Sequence, residues 1–88
     1  MLVNLLFLVR VFITLKESVL DPQGQTVKHS LHSMDETSVK DVRIGKYIEL
    51  KLEAESSDKA VQNAKRIIEK LLVNPVIESY SFEISEAE

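Results

Sequence analysis

Residues 39–53 read VKDVRIGKYIELKLE, and the alternation in this stretch decides the fold. Val42, Ile44, Ile48, Leu50 and Leu52 share one parity, while Arg43, Gly45, Tyr47, Glu49, Lys51 and Glu53 share the other. A period of two marks a strand with one face on a core and the other toward water. Parity is kept across Gly45-Lys46, so the segment is either one long strand or two strands parted there by a tight turn or bulge. A single strand of this length exceeds the usual ~5–6 residues. It would overhang its neighbours, and the unpaired edge groups of an overhang invite pairing with another subunit.

Upstream, Val9, Val11, Ile13 and Leu15 alternate with Arg10, Phe12, Thr14 and Lys16, which predicts a first strand. Phe12 falls on its more polar side. It is either partly covered by a neighbour or a contact on a second sheet face that a dimer buries. Between the two strands, Asp21 is placed to cap a helix and Pro22 suits its first position, where a missing N–H costs nothing. Gly24 weakens the first turn slightly. Val27, Leu31 and Met34 form one apolar stripe with Leu20 beneath it, so the helix runs from about 22 to 34, with residues 35–38 as its exit turn.

Downstream, Ser56 or Ser57 caps a second helix and Asp58 adds favourable negative charge to its first turn. Val61, Ala64, Ile68, Leu71 and Leu72 make its buried stripe, broadened by Ala60 and Ile67; Lys59, Lys65, Arg66, Glu69 and Lys70 make its wet side. Asn74-Pro75 stops it. A last strand over residues 76–84 puts Val76, Tyr80, Phe82 and Ile84 on one face. Glu78 shares that apolar parity and is expected near an open end of the sheet. Residues 85–88 read as a frayed acidic tail.

The order β-α-long β-α-β gives an α+β fold: a three-stranded antiparallel sheet with two helices on one face. Were the long strand two, the order would be βαββαβ, a ferredoxin-like pattern. One domain is expected over residues 1–88, with its core in 9–84. A chain of 88 residues buries only a little over ~60% of its unfolded surface. That leaves little room for a deep cleft, and assembly is one way to add core.

Composition narrows the function. The chain is 44% apolar and 28% charged, with two Gly and two Pro, which is an ordered globular composition. It has no Cys, so disulfides, thiolate metal sites and a Cys nucleophile are excluded. The run MLVNLLFLV at residues 1–9 lacks a preceding basic residue and a small-residue cleavage site, and it is far short of the ~20 apolar residues of a membrane span. It reads as the first strand with a few extra residues in front, and cytoplasmic localisation is expected. A net charge of −3 argues against a nucleic-acid partner.

No residue group points to catalysis. His29 and His32 are three apart on the first helix, and Asp35 follows at the same spacing, but no further ligand makes a metal site. They read as solvated or interface histidines. Phosphate-binding Gly-rich loops are absent. Ser18, Ser30 and Ser33 are not grouped with a base. Arg43 and Lys46 flank Gly45 and either hold a carboxylate or phosphate across an interface or lie on a solvated strand face. The segment GKYIEL at 45–50 offers only Tyr47 where an RNA-recognition strand would display two aromatics.

Three blocks, TLKESVLDPQG at 14–24, DVRIGKYIEL at 41–50 and LLVNPVIE at 71–78, followed by Tyr80, resemble the PurS family, the small subunit of phosphoribosylformylglycinamidine synthase. The resemblance spans residues 9–84; the longer segment 1–7 departs from the family's usual short start. It implies a non-catalytic role in purine biosynthesis, in a complex that converts formylglycinamide ribonucleotide, glutamine and ATP to formylglycinamidine ribonucleotide. A PurL synthetase subunit would hold ATP and magnesium, a PurQ glutaminase would release ammonia, and this chain would carry no cofactor, pair with itself as a dimer or tetramer, and bridge the two. Lys16, Asp21 and Gln23 in the first loop, and Arg43, Lys46, Tyr47, Ile48 and Glu49 on the long strand, are the interface candidates. The alternatives are an ACT-like ligand-binding regulatory module and a small RNA-binding domain.

Overall fold

The computed structural model describes residues 4–87. Its elements are β1 (Leu5–Leu15), α1 (Pro22–Ser33), β2 (Gly45–Ala54), α2 (Ser57–Ile67), which runs on into a π-helical turn (Ile68–Leu72), and β3 (Glu78–Glu86). The three strands form one antiparallel sheet in the order β2-β1-β3. β1 is central because it is the most apolar strand. Phe7, Val9, Val11 and Ile13 line its inner face and are all buried. Val11 lies opposite Ile48 on one side and Phe82 on the other, so the inner parities of all three strands coincide. Ala60, Ala64 and Ile68 of the second helical segment close over this face and are fully buried. The small alanines let the helix approach the sheet closely, and the alternation of strand residues supplies the rest of the core.

The β-α-β-α-β order and the three-stranded antiparallel sheet are as the sequence predicts. Several boundaries differ, each for a physical reason. β1 begins at Leu5, not Val9, because β2 runs on to Ala54 and pairs with Leu5 and Leu6, while β3 reaches Glu86 and pairs with Phe7 and Leu8. Ser85 and Glu86 therefore belong to a strand, not to a frayed tail, and the Ala87 amide still donates to the Leu6 carbonyl at 2.8 Å. Residues 1–3 and Glu88 lie outside the described residues. β2 begins at Gly45, opposite Thr14. Residues 39–44 belong to no regular element and have no strand partner, since β1 ends one residue later at Leu15. The βαββαβ reading is thus not formed: the long segment is a paired strand with an unpaired leader.

The end of α2 shows a phase error in the simple helical reading. The Val73 amide donates to the Ile68 carbonyl at 3.0 Å, a five-residue step. A π-turn inserts an extra residue into the helical repeat and rotates every later side chain about the axis. Val73 is therefore buried in the same core as Ile68, while Leu71, expected in the stripe, is 82% exposed. Val76 is likewise outside the strand, in a turn held by the Asn74 side chain, which accepts from the Val76 amide at 3.1 Å.

α1 is the larger departure. α2 and its extension pack on the sheet, but α1 does not lie over it. Leu20 and Met34 are more than two-thirds exposed, and Val27 is also exposed, so the expected stripe is not covered by the sheet in this protomer. The long axis of the molecule is 61 Å. A strand of β1's length spans ~36 Å and a helix of α1's length ~18 Å, so the two lie nearly end to end. The radius of gyration, 17.4 Å, is well above the ~12 Å of a compact domain this size. Residues 22–44 form an arm beyond the sheet.

Candidate functional site

The arm joins the sheet at one polar junction. Asp21 caps α1: its Oδ1 accepts from the Gly24 amide at 3.0 Å, and its Oδ2 accepts from the Ile44 amide at 2.7 Å. One carboxylate thus ties the start of α1 to the returning leader of β2. The side chain is almost wholly buried, and the Gly24 amide first, then that of Ile44, holds its carboxyl below the ordinary 3.8. Arg43 completes the latch. Its Nη2 donates to the carbonyls of Lys16 at 2.8 Å, Leu15 at 3.1 Å and Val19 at 3.3 Å, which fixes the loop after β1. Gly24 is required because the leader passes against it. A Cβ there would run into the Val42 carbonyl and sit 2.8 Å from Asp21 Oδ2.

Next to this latch, Lys46 pairs with Glu78 at 3.2 Å across the sheet end. Glu78 Oε1 also accepts from the Asn74 amide at 2.7 Å. That amide, and after it Lys46, keeps the Glu78 carboxyl below its ordinary 4.5. The expectation that Glu78 lies at an open sheet end is met, since it is the first residue of β3, opposite Leu15. A cavity of about 200 Å³ lies between Ile13, Asp21, Gln23, Gly45, Lys46 and Glu78. Both oxygens of each of its carboxylates already have partners. Nothing in it is poised as a nucleophile or base, so its chemistry is that of a joint.

The eight candidate residues fall into three places. Asp21, Gln23, Arg43 and Lys46 meet at the junction, and Lys16 borders it from a neighbouring cleft it shares with Glu69, Val73 and Tyr80. Arg43 and Lys46 are used within the chain, not left as a solvated strand face. Tyr47 and Glu49 lie on the sheet face away from α2. Tyr47 is 52% exposed, its hydroxyl donates to Glu49 Oε2 at 3.1 Å, and its ring centroid is 5.3 Å from that of Phe12. Phe12 thus has the partial cover from a neighbour that the sequence allowed. Partial burial, and then Glu49, push the Tyr47 hydroxyl's pKa up from 10.0. Ile48 points the other way, into the core beside Val11. Sequence reasoning missed Gly24 as a contact point. The available signal was a glycine in the first helical turn, where alanine serves better. His32 Nε2 lies 2.8 Å from the Val39 carbonyl and holds the far end of α1 to the leader. Among the described residues, no group of three or more His, Asp or Glu is placed to hold a metal.

The junction makes the fold acid-sensitive. Both Asp21 and Glu78 have carboxyls lowered in the folded state. Their contribution is complete above the unfolded values, ordinarily 3.8 and 4.5, and is lost as pH falls through the lowered folded ones. Melting temperature measured from pH 7 to pH 3 is expected to hold down to about pH 5 and then fall. In Asp21→Asn the fall should be shallower, from a lower starting point.

The match to a PurS family model, described as phosphoribosylformylglycinamidine (FGAM) synthase, covers residues 8–86. The chain is 53% identical over 81 residues to phosphoribosylformylglycinamidine synthase subunit PurS of Bacillus subtilis (strain 168), covering 92% of this chain and 95% of that one. Among solved structures, B. subtilis PurS in a C2 crystal form superposes with a TM-score of 0.79 at 54% identity, covering 91% of this chain and 99% of the other. A chain of the PurLQS structure from Thermotoga maritima gives a TM-score of 0.80 at 39% identity, with 93% and 98% covered. Sequence and fold agree along nearly the whole length, and the chain belongs to the PurS family of FGAM synthase.

Proposed function

We propose that this chain is the non-catalytic small subunit of an FGAM synthase complex, bridging the ATP-dependent synthetase subunit and the glutaminase subunit so that ammonia passes between them. The observation that carries this reading is membership in the PurS family over residues 8–86, joined to a junction whose carboxylates are both bonded within the chain. A PurS chain of the same fold occurs in the T. maritima PurLQS structure, which supports the synthetase and glutaminase as partners. The bridge works by proximity. Ammonia free in neutral water is mostly protonated and is no nucleophile, whereas a short confined transfer keeps it reactive. The complex acts in the cytoplasm, and ATP and magnesium belong to its large subunit. Of the candidate residues, exposed Lys16, Gln23, Tyr47 and Glu49 are the ones on surfaces through which this chain meets its partners, while Asp21, Arg43 and Lys46 hold the loop that presents them.

The chain also pairs with itself, through the edge strand β2 and its unpaired leader. The outer edge of β2 is open, because β2 is the first strand in the sheet order, and an open edge is a template for another strand. Static light scattering at micromolar concentration should return at least twice the 10.0 kDa of one chain. A mass of one chain would contradict self-association. The purified chain should show no ATPase, glutaminase or synthase activity. ATP turnover that scales with this chain through purification would overturn the non-catalytic reading.

The RNA-binding alternative gains one feature, since Phe12 and Tyr47 are two aromatics on one open sheet face. Glu49 and Glu83 flank Arg10 on the same face, so the surface around those rings lacks the basic excess that a phosphate backbone needs.

A further inference from the structure

The sheet's other edge, that of β3, is also open, since β3 is the last strand in the sheet order. The Lys16 amide donates to the Ile77 carbonyl and the Ala87 amide to the Leu6 carbonyl, both at 2.8 Å. These bonds lie at the two ends of one continuous register, in which Thr14 faces Ser79 and Arg10 faces Glu83. In an antiparallel ladder, bonded pairs alternate with unbonded ones. Ser79, Ser81 and Glu83 therefore turn their N–H and C=O toward β1, while Tyr80, Phe82 and Ile84 turn theirs outward, where no further strand lies among the described residues. Proteins blunt such an edge with lysine, proline, a bulge or a short strand. β3 uses none of these. Its sequence, ESYSFEISE, pairs with β1 without a break and contains no Lys, Arg, Pro or Gly. Its charges are all carboxylates: Glu78, Glu83 and Glu86. Beside the edge, a cleft of about 400 Å³ opens between the π-turn and the start of β3, lined by Glu69, Val73, Pro75 and Tyr80 with Lys16 at its rim. Glu69 Oε1 accepts from the Tyr80 hydroxyl at 2.8 Å. Among the described residues the one ion pair is Lys46–Glu78, so Glu69, Glu83 and Glu86 are free to meet a cation.

We propose that the β3 edge is a docking site for an extended, basic segment of another protein, which joins the sheet as a further strand. Main-chain bonds to Tyr80, Phe82 and Ile84 give the segment its hold, and side-chain contacts give it selectivity. Successive side chains of an added strand fall on opposite faces of the sheet. On the inner face, the one beside Tyr80 enters the cleft and reaches Glu69. On the outer face, the one beside Glu83 meets that carboxylate. A lysine or arginine suits both places, and the two places are three residues apart along the strand. The same carboxylates select against a second copy of β3. Pairing the whole strand with its own copy, about a two-fold axis at Phe82, sets Glu78 opposite Glu86 and supplies no cation from either strand. Like charges directly opposite are destabilising. The glutamates thus do on this edge what lysine does on others: they repel the chain's own kind, but they admit a basic partner. The proposal does not depend on the bridging reading and is tested on this chain alone.

The test is amide hydrogen exchange on the full chain, read residue by residue by NMR. In the free chain, the amides of Tyr80, Phe82 and Ile84 should exchange much faster than those of Ser79, Ser81 and Glu83, which are bonded to β1. The probe is a short capped peptide of valine and threonine with lysines three residues apart, so that one falls on each face. At about ten times its Kd it should slow exchange at Tyr80, Phe82 and Ile84 by about 10-fold. The same peptide with glutamate in place of lysine, or with its edge-facing amides N-methylated, should have no such effect. Glu83→Lys, at an exposed position, should raise the Kd of the lysine peptide by about 5-fold. No slowing at those amides up to millimolar lysine peptide overturns the proposal. Equal slowing by the glutamate peptide, or an unchanged Kd in Glu83→Lys, overturns the basic chemistry assigned to the partner, and equal slowing by the N-methylated peptide overturns strand addition. Amides of Tyr80, Phe82 and Ile84 that are already protected in the free chain would place a second copy on the edge and overturn the proposal as well.

Discussion

Gly24→Ala is expected to destabilise the chain and to loosen α1, although alanine is the better helix former by ~1 kcal/mol. The sign is reversed by the backbone around it. A Cβ at position 24 would meet the carbonyl of Val42 and crowd Asp21 Oδ2 at 2.8 Å. A backbone carbonyl cannot swing aside like a flexible side chain. Either the leader moves away, breaking the Ile44 amide's bond to Asp21, or the helix tilts, breaking the cap. Overpacking alone costs about 1–3 kcal/mol, and one of the two Asp21 bonds is lost on top of it. Hydrogen exchange should show α1 amides far less protected than in the parent, with a lower melting temperature. A Gly24→Ala chain that melts higher would show that the leader does not press on the helix.

Ile68→Ala should cost about 2–5 kcal/mol, the range for removing a fully buried branched aliphatic side chain. Ile68 has no exposed surface and lies in the main core cluster with Val9, Val11, Ile13 and Ala64. A small domain has only ~5–15 kcal/mol to lose, so a fall in melting temperature of at least ~10 °C is expected. The informative control is Leu71→Ala. Three residues along the same helical stripe, Leu71 would be a core residue if the α-helix continued regularly. In the π-turn it is 82% exposed, and truncation should change stability by no more than ~0.5 kcal/mol in the protomer. A large loss at Leu71 with a small one at Ile68 would contradict the π-turn's phase.

That pair of residues also shows where the sequence is readable and where it is not. The strands are legible because alternation repeats every two residues, and each inner-face apolar residue of β1 from Val9 to Ile13 is buried as its parity requires. The cap at Asp21 and the stop at Asn74-Pro75 are legible because capping is local chemistry. Leu71 is misplaced by a regular helical reading because a single extra residue in a helix leaves no mark in composition. Residues 39–44 read as the overhang of one long strand; the structure leaves them without a strand partner and outside β2, since β1 stops at Leu15. α1's stripe is evident from its spacing, but spacing says that a face is apolar and not which molecule covers it. The junction is half legible. Asp21, Arg43 and Lys46 draw attention as charged residues near turns, yet only the fold shows them bonded within the chain and brings Gly24 and Glu78 to the same joint. Ile48 does not belong with the surface candidates, and its parity already places it with Leu50 and Leu52.

The measurement that tests the central claim most directly is reconstitution of the synthase from its separate parts. The synthetase and glutaminase subunits are assayed with and without this chain, once with glutamine as nitrogen source and once with a large excess of ammonium salt. A bridge that confines ammonia predicts that the chain raises glutamine-dependent product formation strongly and ammonium-dependent formation little. Equal product with and without the chain in the glutamine assay would contradict it.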